Sequence, residues 1–273
     1  MGHKRGIFIL FFIFLASFGA FKIGADTFIG VTKTGLIKVE NFRYPVFLFV
    51  PDNLKPGRKY PMVISVPDVA ETAEKNIDRW ISVAKRSTVL VLVPTYLEPR
   101  DTPNALDRWF FEVKNLMVSA YPVNPKKVFL VGQKSGATYA AYLGVNYPEE
   151  FSAMALLNGS WVGQQGSWTG VFEKLMRLES TPEKQIPIYV GLNEDQKDII
   201  EKTEKTAYDF QKRGYFVEVR KFPAGEDLIT RDYQKTLIQW LDERSEDWAT
   251  IVQNSQKNWQ EKFKKWARDF FAV

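Results

Sequence analysis

The sequence predicts an α/β protein with a mostly parallel central sheet, helices on both faces and an amphipathic helix at the C-terminus. Three observations lead there. Short continuous apolar runs recur along the chain, as in strands buried on both faces. Windows of helical periodicity separate them, the alternation that crossovers onto a parallel sheet require. The last segment spaces aromatic residues mostly four apart between lysines, the pattern of a helix with one apolar stripe.

Residues 1–25 read as an export leader. Lys4 and Arg5 precede an uncharged run from Gly6 to Phe21, with small residues at Gly19, Ala20, Gly24 and Ala25. This run is shorter than the roughly 20 residues a spanning helix prefers, which favours a cleaved signal, cut after Ala25 or Gly19, over an anchor. The protein is expected to be exported, to a periplasm or the exterior, and membrane-anchored if the leader is kept. Cleavage after Ala25 removes Lys4, Arg5 and Lys22 and no acid, so the net charge of +5 becomes +2. That small surplus argues against a nucleic-acid partner.

Phe28–Lys38 and Tyr44–Val50 read as an antiparallel hairpin, with Pro51, Asp52, Asn53, Pro56 and Gly57 marking the loop after it. Pro61–Val66, Val89–Val93, Val128–Val131, Ala153–Leu157 and Ile186–Val190 read as buried parallel strands, and the more alternating Phe216–Phe222 as a strand nearer an edge. Helical windows span Glu71–Arg86, Leu106–Ala120, Ser135–Asn146, Val171–Leu178, Asp195–Arg213 and Arg231–Glu243. With 45% hydrophobic and 25% charged residues, one domain over residues 26–244 accommodates them all. Trp80, Trp109, Phe110 and Trp240 fall on apolar helical faces and belong to its core.

Residues 245–273 form the aromatic, basic helix. Trp248, Val252, Trp259, Phe263, Trp266 and Phe270 make the stripe, and Lys257, Lys262, Lys264, Lys265 and Arg268 lie between them. Such a helix either docks across the domain or engages a protein partner or an anionic membrane surface.

Two numbers bound the chemistry. The chain has no cysteine, which removes disulfides, thiolate metal sites and cysteine nucleophiles. Its one histidine is His3, inside the predicted leader, so the mature chain is expected to lack an imidazole for a Ser-His-Asp triad or for a metal. No metal and no cofactor are expected.

Val128–Ala137 reads as a strand, a corner and a helix start, with Gly132 and Gly136 two residues either side of position 134. It resembles the nucleophile elbow G-x-S-x-G of α/β-hydrolases, a strained strand-to-helix turn around which glycines let the backbone pass. Tyr44–Pro51 with Lys59–Ile64, then Tyr147–Phe151, Ala153–Leu157 and Asn158-Gly159, are similar to the words around that elbow. Together, over residues 40–243, they resemble the secreted feruloyl-esterase and polyhydroxyalkanoate-depolymerase-like esterases. The resemblance implies the α/β-hydrolase fold, an elbow nucleophile, an acid after the strand that ends at Val190 and a base after the last strand.

By that resemblance Lys134 stands at the nucleophile position, Glu194 with Asp195 beside it in the place of the acid, and Glu226 in the place of the histidine. The oxyanion loop reads Pro67-Asp68 where the family often has His-Gly, and proline has no N–H to donate. Ser135 is a fallback nucleophile, in a register that puts Gln133 and Ala137 where the elbow wants glycines. A glutamate, with an ordinary pKa of about 4.3, is a poor base for a serine hydroxyl. No catalytic constellation is therefore expected.

A cation at a helix N-terminus needs neutralising neighbours, and Asp68, Glu194, Asp195 and Glu226 come from loops at the same end of the sheet. Lys134 either plugs the site through salt bridges or helps the helix N-terminus hold the carboxylate or phosphate of a small ligand. A catalytic amine of depressed pKa would lack any second lysine or apolar run. Trp161 and Trp168, in the glycine-rich stretch 158–170, either stack an aromatic or sugar ligand or pack beneath their loop. Ligand contacts are thus expected from Lys134, Ser135, Asp68, Trp161 and Trp168. The sequence predicts an exported, catalytically inactive pseudo-hydrolase that binds a small anionic or aromatic ligand, or a partner. The alternative is an ester hydrolase built around Ser135.

Overall fold

The computed structural model describes residues 33–39, 42, 44–95, 103–159, 161, 176–178, 181–228 and 231–271. The predicted leader, Trp168 and most of the helical window Val171–Leu178 lie outside them. Two leading strands, β1 (Gly35–Val39) and β2 (Val46–Val50), pair antiparallel with Ile37 opposite Leu48. The remaining strands are β3 (Tyr60–Val66), β4 (Leu90–Pro94), β5 (Val123–Gln133), β6 (Ala153–Leu157), β7 (Ile188–Asn193) and β8 (Val217–Phe222). They form an eight-stranded sheet in the order β1-β2-β4-β3-β5-β6-β7-β8. Pairing is antiparallel from β1 to β4 across β2 and parallel from β4 to β8.

Helices α1 (Ala73–Ser87), α2 (Pro103–Ala120), α3 (Ser135–Asn146), α4 (Lys197–Lys212) and α5 (Arg231–Phe271) cover the sheet. The apolar runs are strands because both their faces are covered. One set of inward side chains, with Met62, Leu130 and Leu156, packs under α2, α3 and α4; the alternate set, with Val63, Val131 and Ala155, packs under α1 and α5. β8 sits at the edge, as its alternation requires. In α1 the apolar positions 77, 80 and 84 share one face, Thr72 caps the N-terminus by accepting from Lys75 N–H, and Thr88 ends the helix in the left-handed region. α3 is small and apolar all round and lies buried along its whole length from Gly136 to Val145.

Some boundaries differ from the sequence expectation. β5 starts at Val123, ahead of the apolar run, because Val123 pairs with Tyr60 across a register shift before the regular ladder begins at Met62–Val128. β7 starts after Pro187, which has no N–H to give the ladder, and continues to Asn193 opposite Phe222. α5 runs unbroken through positions 244 and 245, with no glycine or proline from 231 to 271 to stop it.

Parallel pairing aligns the ends of β3, β5, β6, β7 and β8. Val66 pairs with Gly132, Gln133 with Leu157, Leu157 with Gly191 and Asn193 with Phe222. The loops that follow these strands therefore gather at one end of the sheet, where crevices of parallel α/β sheets form.

Candidate functional site

The corner between β5 and α3 is a single residue, Lys134, with φ 46° and ψ −116°. A side chain there is costly, on the order of 1–3 kcal/mol, so the surroundings must impose the turn. Lys134 N–H donates to Leu157 O at 2.9 Å, and Ala137 N–H donates to Lys134 O at 3.0 Å. Three glycines clear the space around the corner. A Cβ on Gly132 would meet Ala137 Cα and Ala140 Cβ at 2.6 Å. One on Gly136 would fall 2.5 Å from Val66 O and nearer still to Pro67 O. One on Gly159 would fall 2.6 Å from Ala137 Cβ and nearer still to Lys134 O. Glycine register thus makes the turn, and Lys134 stands at its tip.

Of the four acids in the surrounding loops, Asp68 is the one that reaches this corner. Ser135 Oγ–H donates to Asp68 Oδ1 at 2.6 Å, and Ser135 Oγ accepts from Val69 N–H at 2.9 Å. The Lys134 ammonium stands 3.6 Å from Asp68 Oδ2, and its side chain keeps 63% of its surface exposed. The structure therefore brings together Lys134, Ser135 and Asp68. Glu194 and Asp195 are exposed and Glu226 is half-buried, and none of the three has an ion pair with Lys134 among the described residues.

Asn193 occupies the inward position at the end of β7 that sequence reasoning passed over. It is 4% exposed, its Nδ2 donates to Glu226 O at 2.6 Å, and its N–H donates to Asn158 Oδ1 at 2.9 Å. Asn158 has a left-handed φ of 49° and donates through its own N–H to Gly191 O at 2.8 Å. The loops after β6, β7 and β8 are laced together by amides. The only sequence signal was the Asn-Glu-Asp cluster, which does not say which of the three turns inward.

A second polar network also went unread. Ser65 Oγ donates to Asn76 Oδ1 at 2.8 Å and accepts from Trp80 Nε1 at 3.0 Å and from Gln133 Nε2 at 3.2 Å. Asn76 Nδ2 donates to Glu71 at 2.7 Å, Glu71 binds Arg79 at 2.8 Å, and Arg79 pairs with Asp227. The chain of bonds runs from the residue before Lys134 to the residue after Glu226. Buried polar groups satisfied in this way hold the loops in one arrangement.

Trp161 is 1% exposed and stacks on Phe210, with ring centroids 4.5 Å apart. Its ring face is committed to packing. Among the described residues no group of three or more histidine, aspartate or glutamate side chains converges as a metal site.

Chemically, the corner offers an exposed ammonium and a serine hydroxyl that donates its proton to Asp68 and accepts from Val69 N–H on one of its two lone pairs. Lys134→Gly relieves the Cβ strain at the cost of glycine's greater freedom in the unfolded chain. It is expected to raise stability by about 1 kcal/mol, read as a higher urea midpoint. A lower midpoint would show that the corner carries no strain.

No family model matches the chain, and no curated protein matches it by sequence. Solved structures do match. A thermostable esterase superposes with TM-score 0.56 at 18% identity over 77% of this chain, which spans 62% of that enzyme. An S-formylglutathione hydrolase from Staphylococcus aureus gives TM-score 0.61 at 11% identity over 78% of this chain and 99% of its own. A Pyrobaculum calidifontis esterase gives 0.58 at 12% identity over 78% and 85%. At such identities the likeness speaks for the fold alone: this chain has the α/β-hydrolase fold of esterases and serine hydrolases, and its strand-to-helix corner carries Lys134.

Proposed function

We propose that this is an exported α/β-hydrolase-fold protein that does not hydrolyse esters and instead binds a small anionic ligand at Lys134. The observation that carries the reading is the side chain at the strained corner: an exposed ammonium stands at the tip of an otherwise intact elbow turn. The one histidine, His3, precedes the described domain, and there is no cysteine. Lys134 is held by one acid at 3.6 Å, a loose pairing that a carboxylate or phosphate ligand can compete with. The backbone at the start of α3 adds a favourable field for an anion.

A second reading has one observation in its favour. The 2.6 Å bond from Ser135 to Asp68 is the contact a serine nucleophile makes with a base. Against it, a carboxylate is a weak base for a hydroxyl, and Val69 N–H already takes one of the two Ser135 lone pairs.

Two assays on the purified protein decide between them. Hydrolysis of p-nitrophenyl acetate is expected to equal that of the Ser135→Ala variant, and a fluorophosphonate probe is expected to leave Ser135 unmodified. Titration with benzoate, followed by NMR, is expected to shift resonances at the start of α3 in the wild type and not in Lys134→Ala. Ser135-dependent turnover or a covalent adduct would overturn the non-hydrolytic reading. Equal shifts in both proteins would overturn the role of Lys134.

A further inference from the structure

Helix α5 is longer than the domain needs. Its first half packs on the sheet and on α1 through Leu237, Ile238, Trp240 and Leu241. Trp248 ties it to the body through an indole N–H donated to Gln185 O at 2.9 Å, and Ile251 lines a groove with Pro187 and Phe216. Past that point Gln253, Asn254, Gln256, Lys257, Gln260, Glu261 and Lys264 are exposed, while the helix continues to Phe271. The part beyond Trp248 is about 35 Å long at a rise of about 1.5 Å per residue.

The chemistry of this extension is specific. Helical register places positions 248, 252, 259, 263, 266 and 270 within an arc of about 60°. The last four are Trp259, Phe263, Trp266 and Phe270. From 253 to 272 the sequence has no leucine, isoleucine, valine or methionine. A seam made for a second helix would be aliphatic, with branched residues filling holes between side chains. Tryptophan and phenylalanine among lysines suit instead the boundary between headgroups and acyl chains. Between 253 and 271 five basic residues, Lys257, Lys262, Lys264, Lys265 and Arg268, face two acids, Glu261 and Asp269. No helix among the described residues is long and apolar enough to cross a membrane, so this one would lie along it.

We propose that residues 252–271 of α5 bind the surface of an anionic lipid bilayer, with the helix axis in the headgroup plane and the aromatic arc turned toward the acyl chains. The net positive charge supplies attraction to anionic headgroups, and the aromatic residues supply the apolar burial. This surface is independent of the Lys134 corner and stands or falls separately.

The full chain has no cysteine, so a single thiol can be placed at will. Ser255→Cys lies about 20° beyond the edge of the aromatic arc, and Lys235→Cys lies on the part of α5 that packs on the domain. Each is labelled with an environment-sensitive fluorophore and mixed with vesicles of phosphatidylcholine, with and without phosphatidylglycerol. The label at 255 is expected to shift to the blue with phosphatidylglycerol vesicles only, while the label at 235 stays unshifted. Adding Lys262→Glu, Lys264→Glu and Lys265→Glu is expected to weaken the response about a hundredfold, with circular dichroism confirming that the variant is folded. Three results would overturn the proposal: no shift at 255 whether or not the protein sediments with vesicles, an equal shift on pure phosphatidylcholine, or a shift without lipid that grows with protein concentration. The first removes the lipid surface as the occupant, the second removes the anionic headgroups as what attracts the helix, and the third identifies a second copy of the chain in place of lipid.

Discussion

Replacing Gly136 with alanine is expected to destabilise the protein by about 3 kcal/mol or more. The added Cβ would lie 2.5 Å from Val66 O and nearer to Pro67 O, and 3.1 Å from Pro67 C. All three are backbone atoms at the end of β3, so no rotamer change relieves the clash. Either α3 or the β3 ladder must move, and overpacking of this kind costs about 1–3 kcal/mol even where side chains can yield. The same movement would pull Ser135 away from Asp68 and Val69. Gly225→Ala is the contrast: its φ is 74° but nothing lies within 4 Å of the new Cβ. That change costs only conformational strain, about 1 kcal/mol. Urea unfolding of the two variants measures the difference. Equal losses would mean that the close passage around the corner does not hold it.

The second large effect is expected at alkaline pH, from a buried carboxylate that three tyrosines share. Asp107 on α2 is 4% exposed; it accepts from Tyr139 at 3.2 Å on Oδ1, and from Tyr142 and Tyr147 at 2.5 and 2.8 Å on Oδ2. Burial holds the Asp107 pKa above the usual carboxylate value, although the three hydroxyl donors pull it back. Burial, reinforced by Asp107, raises all three tyrosines above their ordinary value of 10.0. On the far side of the sheet, burial pushes Tyr189 up to about 12.

For an acid whose folded pKa is raised, the folded state holds protons that the unfolded state has released. Its contribution to stability is present below the unfolded pKa and is lost as pH rises through the folded one. Tyr139 and Tyr142, the two most buried, should make stability fall as pH rises above 10. Asp107 acts in the same direction from about pH 4 upward. Asp107→Asn removes the one titrating carboxyl and the charge that adds to burial in disfavouring the phenolates, and is expected to abolish the acid-range slope and end the alkaline fall at a lower pH. Stability measured by urea unfolding across pH gives the slopes. Parallel curves for wild type and Asp107→Asn would show that the carboxylate does not govern these tyrosines.

Ala153–Leu157 could be read as a buried strand because five consecutive apolar residues leave no polar face, and the structure buries all five. Ser135–Asn146 could be read as a helix to the residue, since the glycine corner fixes its start and Pro148 its end. Lys134 at the corner followed from the resemblance of Val128–Ala137 to an elbow whose tip lies midway between Gly132 and Gly136. Asn193 did not follow from anything local. Whether Asn193, Glu194 or Asp195 points inward depends on where β7 stops pairing, and that is set by Phe222 on another strand. Gln133, Ser65, Asn76 and Arg79 meet only because three separate elements converge, so no spacing in the chain announces them.

The sequence by itself determined the layers of the fold and the identity of the side chain at the corner. These depend on runs of polarity and on glycine positions, which act within a few residues along the chain. The tertiary structure decided which acid meets that side chain. Asp68, Glu194, Asp195 and Glu226 are equivalent as carboxylates, but each is aimed by the strand or loop that carries it. Strand register brings Asp68 within 3.6 Å of the Lys134 ammonium and leaves that ammonium largely in solvent.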